Sequence, residues 1–79
     1  MNDEINKQYV ELAAAILKQA ANDYIFALRS GNEKKCFRLE RWFRSSYGQI
    51  ISMGNGDAII RECRRIARES KRDTMTRKE

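Results

Sequence analysis

Apolar residues recur at every third or fourth position through the first part of the chain. Ile5, Tyr9, Leu12, Ala13, Ile16, Ala20, Tyr24 and Ala27 form the stripe, and Val10, Leu17 and Leu28 widen it on one side. That is the helical period, and it predicts one helix of about seven turns without a breaker. Asn2 is placed to cap it, and Asp3 and Glu4 suit the positive end of its dipole. It ends at Ser30-Gly31-Asn32, where Gly31 can take the left-handed conformation that closes a helix.

A second helix is predicted from Glu33 to Phe43 or slightly beyond, capped by Asn32, with Cys36, Leu39 and Phe43 facing inward. Phe37 and Trp42 fall on opposite flanks, so at least one meets the rim or solvent. Ser-Ser followed by Tyr-Gly is a weak helix interior. We therefore expect Ser45 to cap a short third helix, Ser46 to about Met53, returning Tyr47, Ile50 and Ile51 to the core; the alternative is an unbroken second helix through Gly48. Gly54-Asn55-Gly56 reads as a turn with two glycines free to adopt positive φ. Asp57 then caps a last helix running to about Lys71 or Arg72. The domain prediction is one helical domain over residues 1–72, with a frayed or disordered basic tail over 73–79, where apolar periodicity is lacking.

One position breaks the pattern. Asp23 falls inside the apolar stripe of the first helix. Either it escapes burial near the helix end, or it pairs with an arginine of a neighbouring helix, Arg41 or Arg44. A buried carboxylate without a partner is costly.

Composition supports helices throughout. There is no proline, and 42% of the residues are hydrophobic, enough for a packed core and too many for a disordered chain. At 79 residues only one such core is available. The expected fold class is all-α, a compact bundle of three or four helices with a long N-terminal helix. No apolar run approaches a membrane span, and the start lacks the pattern of a secretory signal. Cys36 and Cys63 both sit in apolar helical patterns and read as reduced thiols of a cytoplasmic protein.

Charge is segregated along the chain. Residues 1–28 carry Lys7 and Lys18 against Asp3, Glu4, Glu11 and Asp23, a balance of −2; residues 29–79 carry 14 Lys and Arg against 7 Asp and Glu, a balance of +7. On the last helix, Arg61, Arg64, Arg65, Arg68, Lys71 and Arg72 share an arc of roughly 120°, nearly opposite Ile59, Cys63, Ile66, Ala67 and Ser70. Five of the six are arginines, whose forked donors suit phosphates. Glu62 and Glu69 sit on a flank. The same stripe is also what the solvated face of any amphipathic helix on a basic protein would show. A second cationic zone, Lys34, Lys35, Arg38, Arg41 and Arg44, is interleaved with Phe37 and Trp42. It could stack on bases or grip a protein. A helix-turn-helix reading is weakened by Asp57 and aliphatic residues at the start of the last helix, where base contacts are usually made.

Catalytic signatures are missing. Without histidine the usual general base and the commonest metal ligand are gone, and two distant cysteines make no zinc site. Gly54-Asn55-Gly56-Asp57 precedes a helix but follows no strand and lacks the spacing of a phosphate loop, so a turn and cap is the better reading. We expect no enzyme, no cofactor and no metal.

Three stretches resemble a family of small helical proteins encoded in prophages and mobile elements of Firmicutes. Ala20-Ala21-Asn22-Asp23-Tyr24-Ile25-Phe26-Ala27-Leu28 is similar to its A-x-x-D-Y-x-x-A-L stretch. Glu40-Arg41-Trp42-Phe43-Arg44-Ser45 is similar to an E-x-F-F-R-S stretch, and Gly54 to Arg61 to a glycine- and aspartate-rich turn entering a terminal helix. The chain differs in its short connection after the first helix and at Tyr47-Gly48. The resemblance implies a phage accessory protein in the host cytoplasm that is not an enzyme, of the kind that regulates transcription or blocks host defence. The leading expectation is a nucleic-acid binder gripping through Arg61, Arg64, Arg65, Arg68, Lys71 and Arg72, assisted by Arg38, Arg41 and Trp42. The alternatives are an anti-CRISPR-like inhibitor docking on an acidic host protein, and a self-associating protein, such as a homodimer, built on leftover apolar surface of the first helix.

Overall fold

The computed structural model describes the backbone of residues 2–78 and the side chains of residues 7–69. Four helices follow in order: α1 (Asn2–Ser30), α2 (Glu33–Arg44), α3 (Ser46–Ile51) and α4 (Gly56–Lys78), with no strand among the described residues. They make the compact helical bundle, with its long N-terminal helix, that the apolar periods predict.

Each junction has a local cause. Gly31 adopts φ 70°, and the amides of Gly31 and Asn32 donate back to the carbonyls of Leu28 and Ala27, closing α1. Asn32 then caps α2, its side chain accepting from the Lys35 amide at 3.2 Å. Ser45 serves two helices. Its amide and hydroxyl both donate to the Trp42 carbonyl at the end of α2, and the same hydroxyl oxygen accepts from the Gly48 amide to start α3. The break at Ser45 is thus real, and α2 does not run on to Gly48.

Tyr24, Phe43, Ile60, Cys63 and Ala20 form the centre, flanked by Leu17, Leu28, Leu39 and Ile59. Tyr24 and Phe43 meet at 6.0 Å between ring centroids, and Trp42 packs edge-on against Phe43 at 5.2 Å. Arg44 pairs with Asp57 and Glu40 with Arg64, so α4 runs antiparallel to α2. Since α2 folds back on α1 through a two-residue link, α4 runs parallel to α1. The first turns of α1 therefore overhang one end and the last turns of α4 the other, giving a long axis of 56 Å in a body 25 Å wide and 16 Å thick.

Several expectations are corrected. Tyr9 and Leu12 lie on the predicted inner face of α1 yet are 54% and 61% exposed, being on the overhang. Tyr47 and Ile50 also point outward. The six-residue α3 buries Gly48 and Ile51, with Gln49 half-buried beside them. α4 starts at Gly56, so Asp57 lies in its first turn rather than capping it, and the helix continues beyond Arg72 to Lys78. Of the two turn glycines only Gly54 has positive φ, and its partner in the left-handed region is Met53. Gly56 is small for another reason: a side chain there would collide with the Phe43 carbonyl oxygen.

Asp23 is half-buried and makes no ion pair among the described residues. It accepts a hydrogen bond from the Gln19 amide nitrogen one turn earlier at 3.0 Å. Arg44, one of its expected partners, is held by Asp57 instead. Cys36 and Cys63 are free thiols, and burial pushes both above the ordinary thiol range.

Candidate nucleic-acid interface

The arginines of α4 do not act alike. Arg64 lies on the side of α4 that faces α2, where its Nε donates to the Tyr24 hydroxyl at 3.1 Å and its Nη2 to Glu40 Oε2 at 3.0 Å. The Tyr24 hydroxyl in turn donates to the same Glu40 oxygen at 2.5 Å. One residue from each of α1, α2 and α4 thus closes a polar triangle over the core. Burial, then the bond to Glu40, pushes the Tyr24 phenol up to about 12. The bond from Tyr24 and the cation of Arg64 hold Glu40 below the ordinary carboxylate range. Arg64 belongs to the fold.

Arg65 is also engaged. It reaches across its own helix to Glu62 and to Glu69, the latter at 2.6 Å, and these carboxylates raise its guanidinium above the ordinary value. Glu62 and Glu69, on the flank of the stripe, therefore neutralise one member of it. Arg61 and Arg68 make no ion pair among the described residues. The side chains of Lys71 and Arg72 lie outside the described residues.

Across the seam on α2, Lys34, Arg38 and Arg41 are exposed and likewise without an ion pair among the described residues. Arg41 stands over the Phe37 ring at 6.0 Å. Trp42 is half-buried and braced edge-on by Phe43 and by Tyr47, the latter at 6.0 Å. Lys34, Phe37, Arg38, Arg41 and Trp42 line an open groove of about 730 Å³ along the outer face of α2. Trp42 also walls a more apolar groove of about 450 Å³ between α1 and α2, with Ile16, Gln19, Asp23 and Leu39.

The surface is therefore two rows of cations, Lys34, Arg38 and Arg41 on α2 and Arg61 and Arg68 on α4. Between them runs a seam of compensated charge, Arg44 with Asp57 and Arg64 with Glu40. Sequence reasoning missed the partners in this seam. Glu40 carried a signal, since it lies four residues after Cys36 and three before Phe43, on the inner edge of α2. Among the described residues no three His, Cys, Asp or Glu side chains gather where they could hold a metal ion, and no helix is long and apolar enough to cross a membrane. Comparison of the chain with known protein families, with curated proteins and with solved structures found no match.

Proposed function

We propose that this chain is a non-catalytic nucleic-acid-binding protein that grips the phosphate backbone with the two cationic rows of α2 and α4. The supporting observation is the division of labour among the basic residues. Arg44, Arg64 and Arg65 are compensated by acids, whereas Lys34, Arg38, Arg41, Arg61 and Arg68 have no ion pair among the described residues. Phosphate contacts position a protein without reading sequence. Such binding suits the mobile-element accessory role that the sequence resemblance implies, in transcriptional control or against host defence.

Fluorescence anisotropy with a labelled mixed-sequence oligonucleotide tests this at several salt concentrations. Arg61→Glu with Arg68→Glu should abolish binding at moderate salt. Neutralising either arginine alone should lower the salt slope by about one. Arg64 is left intact because its loss would disturb the fold. Unchanged affinity in the double reversal sinks the reading. Binding to an acidic host protein without nucleic acid would favour the inhibitor alternative instead.

A second reading, self-association, is supported by a different observation. Tyr9, Val10 and Leu12 are each more than half exposed within a single turn of α1.

A further inference from the structure

We infer that the nucleic acid is single-stranded, its backbone tracking along Lys34, Arg38 and Arg41 while Phe37 and Trp42, on either side of that row, stack on unpaired bases. The inference rests on the reading of the cationic rows as a phosphate grip, and names the form of nucleic acid they hold.

Helical geometry sets the arrangement. At about 100° per residue, Phe37 and Trp42 are some 140° apart around α2, and Lys34, Arg38 and Arg41 occupy the arc between them. Phe37 is 63% exposed and lies outside the core cluster, so folding does not explain its ring. Its one ring contact among the described residues is the Arg41 guanidinium, which would meet phosphate and base together. Trp42 is held differently. The edges of Phe43 and Tyr47 fix its ring plane, and the ring still lines the outer groove. Tyr47, more than half exposed, continues the aromatic surface beyond it.

Two other occupants fit less well. A duplex keeps its base faces stacked inside and offers only edges and backbone, so rings on the flanks of a convex helix would have nothing to stack on. A protein interface has a core depleted in charge. Here three cations lie between the two rings, and the rest of the lining is polar, Glu33 and Ser45, with no aliphatic side chain. Cations with interleaved aromatics are the arrangement that holds single strands without sequence preference.

The test compares a 20-nucleotide oligo-dT with a 20-base-pair mixed duplex, by anisotropy and by the emission of Trp42, the only tryptophan in the chain. Oligo-dT should bind more tightly and quench Trp42. Phe37→Ala should weaken oligo-dT binding roughly tenfold while leaving duplex binding and the salt slope unchanged. Phe37→Leu, which keeps bulk without a π-face, should behave as Phe37→Ala, and Phe37→Tyr should restore binding. Circular dichroism is expected to be unaltered in all three, since Phe37 is outside the core. Equal or tighter duplex binding, or full affinity in Phe37→Leu, overturns the inference and leaves the phosphate-grip reading standing. Failure of both nucleic acids to bind overturns both.

Discussion

Tyr24 carries a hydroxyl into the junction of three helices without leaving it unsatisfied. The residue is 0% exposed, yet its oxygen donates to Glu40 and accepts from Arg64. Tyr24→Phe keeps the ring packing and removes both bonds, so it should cost about 1–2 kcal/mol in urea unfolding at neutral pH. The pH dependence follows from the two shifts. Glu40 is held below its ordinary value in the fold, so its contribution is full above that value and is lost as pH falls through the folded one. Tyr24 is raised from 10 to about 12, so its contribution is full below pH 10 and is lost between pH 10 and 12. Urea midpoints across pH should fall at both extremes. Glu40→Gln should flatten the acid limb and Tyr24→Phe the alkaline one. A Tyr24→Phe profile identical to the parent above pH 10 would refute the assignment. Tyr24's place on the core stripe was legible from its period. Its partners were not, because they depend on the register between α2 and α4.

At the scale of elements, the joint after α2 is where the architecture is decided. Ser45 ends one helix and begins the next, and Gly48 then brings α3 so close to α2 that a β-carbon would overlap the Trp42 carbonyl oxygen. Gly56 makes the same approach to the Phe43 carbonyl. Backbone, unlike a flexible side chain, cannot yield at such a contact. Gly48→Ala should therefore destabilise the fold by about 2 kcal/mol or more, read as a drop in thermal midpoint. Ser46→Ala, an exposed change two residues earlier, should stay within about 0.5 kcal/mol. Equal stability of the two variants would show that α3 shifts freely. The break, the Asn32 cap and the Gly31 closure were readable because each is local chemistry. The outward turn of Tyr47 and Ile50 was not, since six residues offer either face until docking selects one.

The whole molecule is long and thin, and this shapes what remains exposed. With α1 and α4 parallel and offset, neither covers the other's free end, and Tyr9, Val10 and Leu12 stand beyond the core cluster. If they are the seam of a homodimer, light scattering at tens of micromolar should give twice the 9.3 kDa chain mass, and Leu12→Glu should return it to one chain. A parent protein that is already monomeric there removes the self-association reading. The charge asymmetry belongs to this scale as well. It was visible in the sequence as a total, whereas the compensation of Arg44 and Arg64 was not, because their acids come from other helices; that of Arg65 is local, since Glu62 and Glu69 lie three residues before and four after it.

By itself the sequence determined the four helices, the Gly31 closure, the Asn32 cap, the Ser45 break and the core places of Ala20, Tyr24, Phe43 and Cys63, because these follow from period and from chemistry within a few residues; it did not single out Ile60. Only the tertiary structure decided that Arg44 and Arg64 are spent on contacts between helices, and which apolar residues overhang the core. Those outcomes depend on the relative direction and offset of α1, α2 and α4, which no local pattern encodes.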